Sequence, residues 1–142
     1  MWKIGPVELE SRLIVGTGRY ADYATMQACH QASGTSMVTV ALRRVDLSAP
    51  QGQGVLDFID RSRIHLLPNT AGCYTAEDAV DTARLARELL QTDLVKLEVI
   101  GCPDTLFPDP EGTLEAARIL VREGFVVLPY CSDDPVDRKS VV

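Results

Sequence analysis

The chain has 142 residues, 46% of them hydrophobic, and a formal net charge of −6. This length and composition suit one globular domain with a substantial core and exclude an intrinsically disordered chain. The acidic balance argues against a nucleic-acid or anionic-membrane surface, because both select clustered Lys and Arg. The opening residues Met1-Trp2-Lys3-Ile4-Gly5-Pro6 lack the apolar run of a signal peptide. No later segment approaches the roughly 20 apolar residues that span a bilayer, so a cytoplasmic location is expected.

In chain order, Arg12 to Val15 reads as a strand, followed by a helix from Asp22 to Ser33 with Met26, Cys29 and Ala32 on its buried stripe and Gly34 as its stop. Met37 to Leu42 is a second strand rich in β-branched residues, and a Gly/Pro/Gln-rich loop leads to a short helix near Val55 to Asp60. His65 to Leu67 begins a third strand, which Pro68 is expected to break. The clearest helix runs from Ala76 to Leu90, with Thr75 as N-cap and Ala79, Val80, Ala83, Ala86 and Leu90 as its stripe.

The next strand, Leu94 to Ile100, carries the most informative pattern. Side chains alternate along a strand, so Val95, Leu97 and Val99 share one face while Lys96 and Glu98 share the other. A charged pair on the inner face of a parallel sheet has a functional reason, because burying charge is costly. A half-exposed strand with one wet face gives the same alternation and is the plain alternative. Pro110 then opens a helix with Leu114, Ala117 and Val121 on its stripe, Gly124 closes it, and Val126 to Cys131 is a fifth strand.

Strand centres fall about 26 to 31 residues apart, the spacing of a βα repeat with a parallel sheet. Eight such units make a (β/α)₈ TIM barrel of about 250 residues, and this chain holds about five; a doubly wound five-stranded sheet is the competitor. Polar residues follow the strands at Gly16-Thr17-Gly18, Arg43-Arg44, Asn69-Thr70, Glu98 and Ser132-Asp133-Asp134, as at the C-terminal face of a barrel. Gly16-Thr17-Gly18 completes neither a dinucleotide fingerprint nor a P-loop. Cys29, Cys73, Cys102 and Cys131 contain no C-x-x-C pair, so no zinc site or redox dithiol is signalled and most are expected to be reduced packing residues. Cys73 is a weak candidate nucleophile, since neither His30 nor His65 is nominated as its base.

The segments Leu13-Ile14-Val15-Gly16-Thr17-Gly18-Arg19-Tyr20, Val38-Thr39-Val40-Ala41-Leu42-Arg43-Arg44 and Leu67-Pro68-Asn69-Thr70-Ala71-Gly72-Cys73, followed in order by Leu94-Val95-Lys96-Leu97-Glu98-Val99 and Tyr130-Cys131-Ser132-Asp133-Asp134-Pro135, resemble bacterial thiazole synthase. The resemblance runs from about Ser11 to Val136 and implies a (β/α)₈ barrel. It implies that Lys96 forms a Schiff base with the ketone of 1-deoxy-D-xylulose 5-phosphate and that Glu98 transfers protons. It further implies sulfur from a sulfur-carrier protein thiocarboxylate, a glycine-derived imine as co-substrate, no metal or organic cofactor, and a homo-oligomeric parent. Attack on a carbonyl needs the neutral amine, which an apolar setting favours, so a neutral Lys96–Glu98 pair is the expected productive state. Two residues apart on one face, the pair is expected roughly 7 Å apart along the strand. Another Schiff-base phosphosugar enzyme and a non-catalytic module that only docks a carrier or subunit are the alternatives.

The resemblance also implies further strands that hold a second proton-transfer aspartate and the phosphate site, so the 142-residue piece alone is expected to be inactive. Residues 1–136 are read as the partial barrel domain. The last six residues, Asp137-Arg138-Lys139-Ser140-Val141-Val142, are the translation of GAT CGG AAG AGC GTC GTG, a string that matches a common sequencing-adapter end. They are read as a non-native tail.

Overall fold

The computed structural model describes residues 1–46, 48 and 50–139. The chain divides into two units, Met1–Leu67 and Pro68–Val142. Residues 140–142 of the expected tail lie outside the described residues.

The first unit opens with a hairpin that the sequence reading did not anticipate, β1 (Trp2–Ile4) against β2 (Val7–Leu9), antiparallel with Ile4 opposite Val7. Its two-residue turn is Gly5-Pro6. Proline fixes the second position at negative φ, so the turn needs a positive φ at the first, and Gly5 supplies φ 55. β3 (Ile14–Gly16) then pairs in parallel with β4 (Met37–Ala41), and α1 (Tyr23–Ser33) is the crossover between them. Asp22 caps α1 by accepting the Thr25 N–H at 2.7 Å, and Gly34 closes it at φ 62.

The buried stripe of α1 is Met26 and His30; Cys29 and Ala32, expected inside, are exposed. The helix therefore keeps Met26 of the expected stripe but buries His30, its i+4 neighbour, in place of Cys29. His30 fits that position because its Nε2 lies 3.1 Å from the Gly16 carbonyl and the ring of Tyr20 stands edge-on to it. A 3₁₀ turn follows β4 at Leu42–Arg44, and the expected short helix is a second 3₁₀ turn at Val55–Phe58. The strand order in this unit is β3-β4-β5, where β5 (His65–Asn69) runs across the boundary between the units. Pro68 does not break β5. The pairing of β5 with β6 is registered at Asn69 opposite Lys96, so the missing N–H of Pro68 falls before the bonds that matter there.

In the second unit the order is β5-β6-β7, parallel, with β6 (Leu94–Leu97) registered residue for residue against β7 (Val126–Pro129). α2 (Ala76–Leu90) follows the expected bounds, capped by Thr75, and buries all five residues of the expected stripe together with Ala76. α3 (Pro110–Arg122) starts on Pro110, with Asp109 accepting the N–H groups of Glu111 and Gly112. Its stripe is turned from the expected one: Thr113, Ala116, Ala117 and Leu120 are buried, Leu114 is half-buried and Val121 is exposed. Gly124 ends it at φ 84.

One core cluster fills this unit, with Ala79, Val80 and Ala83 of α2 and Ala116, Ala117 and Leu120 of α3 packed with Val95, Leu97 and Val99. Small residues on both helices allow close approach. At Gly112 a Cβ would lie 3.0 Å from Val99 Cγ1, so the glycine sets how near α3 comes to the segment after β6. A single turn, α4 (Pro135–Arg138), follows β7. Among the described residues no helix is long and apolar enough to cross a membrane.

Candidate active site

β6 leads into a segment with an apolar, buried face and a charged, partly exposed one. Val95, Leu97 and Val99 are fully buried against the helices, as the alternation predicts, although the paired strand ends at Leu97 and Glu98 lies just beyond it. On the other face Lys96 Nζ donates to Glu98 Oε1 at 3.0 Å. The residues stand two apart in the chain, and their long side chains converge at their tips. The two groups stand at ion-pair distance, and the contact is partly wet: the side chains are 40% and 14% exposed. Such a pair contributes no more than about 1 kcal/mol to stability, so stability alone does not account for it.

The backbone beneath the pair is held from both sides. The Thr70 hydroxyl, buried at the end of β5, donates to the Glu98 carbonyl at 2.8 Å and accepts the Glu98 N–H at 2.7 Å. The Thr70 N–H donates to the Lys96 carbonyl at 3.2 Å, and the Tyr130 N–H to the Leu97 carbonyl at 2.8 Å. A fixed backbone with an amine and a carboxylate at hydrogen-bond distance can pass a proton between the two groups and can present the amine to a carbonyl.

Cys73 is not part of this arrangement. It is buried in the helix-side core, with its Sγ 3.4 Å from the Thr82 hydroxyl, a packing role. The four cysteines form no disulfide, but the expectation that most are packing residues fails: Cys29 is exposed, and Cys102 and Cys131 are half-buried. Cys102 stands out, because a hydrogen bond from the Thr105 side chain, followed by the N–H groups of Thr105 and Asp104, holds its thiol below the ordinary thiol range. The spacing Cys102-Pro103-Asp104-Thr105 was the available signal for that turn. In the first unit, Gly16-Thr17-Gly18 forms a strand end in which the Thr17 hydroxyl donates to the Thr39 carbonyl at 2.9 Å. Among the described residues no group of three or more His, Cys, Asp or Glu is placed to hold a metal ion.

Parallel strands joined through helices, one of them leading into a paired amine and carboxylate, define an α/β protein with a candidate site at a strand end. Comparison with known proteins names the family. Residues 3–142 match the family model of the thiazole biosynthesis protein ThiG, and the chain belongs to that family. It is 59% identical to the thiazole synthase of Solibacter usitatus over 135 residues, covering 95% of this chain and 52% of that protein. It is 61% identical to the thiazole synthase of Geobacter sulfurreducens over 135 residues, covering 94% and 52%. The chain thus spans about half the length of the curated relatives it matches. Among solved structures it resembles a chain of the Amycolatopsis orientalis BexX/CysO complex, with a TM-score of 0.78 and 27% identity, over 98% of this chain and 57% of that one.

Proposed function

We propose that these residues form part of a thiazole synthase that builds the thiazole phosphate of thiamine through a Schiff base on Lys96. The observation that carries the reading is the 3.0 Å contact of Lys96 Nζ with Glu98 Oε1 on the face of β6 turned away from the core. The substrates are 1-deoxy-D-xylulose 5-phosphate, a glycine-derived imine and the thiocarboxylate of a sulfur-carrier protein. The Lys96 amine, its proton lost, adds to the ketone, and water leaves to give the imine. Loss of a proton from the adjacent carbon then gives the enamine, which moves carbonyl character one carbon along for sulfur to enter. Glu98 takes and returns protons in these steps, and its carboxylate already stands in contact with the amine. A protein partner agrees with the solved relative, which is a two-component complex.

The fold reading is a (β/α)₈ barrel of which these are the first units. Sequential strand order within each unit supports it, since a doubly wound sheet reverses order at a switch point. Activity resides in the full-length homo-oligomeric enzyme in the cytoplasm, and residues 1–142 alone do not turn over. Residues 137–142 are the non-native tail. The nucleotide record tests that point: codons other than the adapter string at these positions remove it.

The function is tested in a full-length chimaera that joins residues 1–136 to the remaining half of the Geobacter sulfurreducens relative. Incubation with 1-deoxy-D-xylulose 5-phosphate and borohydride should leave a reduced sugar adduct that peptide mapping places on Lys96. An adduct on Lys3 instead overturns the assignment.

A further inference from the structure

Two threonines stand one residue past a strand end and bond sideways to the next strand's backbone: Thr17 after β3, with the Thr39 carbonyl, and Thr70 after β5. Thr70 does more than Thr17. Its hydroxyl is both donor to the carbonyl and acceptor from the N–H of the same residue, Glu98, at 2.8 and 2.7 Å, and it is 1% exposed. Glu98 lies beyond the last paired residue of β6, where no ladder bond fixes it. Its N–H and carbonyl would otherwise lack a partner on that side, and a backbone group left unpaired away from water is costly. Lys96, by contrast, is held by regular pairing, opposite Asn69 on one side and Leu128 on the other.

We infer that Thr70 is a positioning residue for Glu98: its hydroxyl takes the place of a strand partner and fixes the peptide from which the carboxylate reaches the Lys96 amine. The inference rests on the reading of Lys96 and Glu98 given above. It separates two roles on one strand, because removing the hydroxyl disturbs Glu98 and leaves the ladder around Lys96, including the Thr70 N–H bond to the Lys96 carbonyl, intact. Thr70→Val keeps the shape and removes the bonds; Thr70→Ser keeps the bonds.

The test uses the full-length chimaera and reads two quantities, borohydride trapping at Lys96 and turnover to the thiazole product. Thr70→Val should lower turnover by about 10-fold to 10²-fold, the scale of a misplaced catalytic group, while trapping changes by less than about 3-fold, since Lys96 keeps its ladder. Thr70→Ser should restore turnover to within about 3-fold, because the hydroxyl bonds return. The loss should also be non-additive with Glu98→Gln, the double variant being no slower than Glu98→Gln alone by more than about 2-fold. If Thr70→Val fails to fold, Thr70→Cys, with a weak donor and acceptor of similar size, replaces it in the same comparison. Multiplicative losses, equal losses of trapping and turnover, or no rescue by Ser overturn the positioning role while leaving Lys96 and Glu98 in place. Unchanged turnover in Glu98→Gln overturns the underlying reading and this inference with it.

Discussion

The guanidinium of Arg87 lies 3.4 Å over the ring of Phe125, tying the last turn of α2 to the start of β7. Arg87 also donates to the Glu123 carbonyl at 3.0 Å, and its Nε stands 2.8 Å from Asp93 Oδ1, close in charge but poorly aligned for a hydrogen bond. The stacking and the carbonyl bond are therefore the stronger parts. Arg87→Ala should lower stability by about 1–2 kcal/mol, and Arg87→Lys, which keeps charge but loses the planar stack, by about half of that. Urea midpoints of the full-length chimaera measure both; equal stability of all three forms contradicts the packing role.

Lys96→Arg should abolish borohydride trapping and turnover while the fold persists, because the guanidinium keeps the charge near Glu98 but supplies no neutral amine. Circular dichroism and mass analysis of the adduct give the two readouts. Ring formation by Lys96→Arg would end the Schiff-base mechanism.

Glu98→Gln should still form adduct, with product formation slower by about 10² to 10⁴-fold, the contribution of a general acid–base group. Single-turnover experiments separate adduct formation from the later proton transfers, and a loss confined to adduct formation would count against this role.

Cys102 should be alkylated faster than the exposed Cys29 near neutral pH, because its thiol titrates below the ordinary range and exists more as thiolate. Thr105→Val removes the largest cause of that shift and should slow Cys102 labelling without affecting Cys29. Peptide mapping after brief iodoacetamide treatment gives the ratio.

Glu123 carries a pH dependence. The hydrogen bond from Arg84 chiefly holds its carboxyl below the ordinary range. The stabilisation is therefore present above the ordinary carboxyl value and is lost as pH falls through the lowered one. Glu123→Gln should flatten the acid limb of the stability profile and leave the alkaline side unchanged, which thermal melts across pH 2 to 8 can check.

Local signals were legible in the sequence wherever one segment decided the outcome. α2 could be read to its bounds because Thr75 caps it and small apolar residues recur at helical spacing. The face carrying Lys96 and Glu98 followed from the alternation with Val95, Leu97 and Val99. The stripes of α1 and α3 were placed only in part, with Met26 and Ala117 inside as expected but Cys29, Ala32 and Val121 outside, because burial there is chosen by what the helix meets: His30 is inside by virtue of a carbonyl and a ring from outside its helix. The hairpin at Gly5-Pro6 had a usable turn signal that went unread. Two features of the candidate site left no local trace: the closing of the gap between Lys96 and Glu98, which depends on flexible side chains, and the Thr70 hydroxyl, which acts on a residue 28 positions away.

The bare Cα of Gly112 lets α3 pack closely behind the segment that follows β6. A Cβ at this position would stand 3.0 Å from Val99 Cγ1, and Val99 is joined by one peptide bond to Glu98. A methyl group there would ask Val99 to give way by a few tenths of an ångström, so the tolerance of α3 for a side chain at this position is set one peptide bond from Glu98.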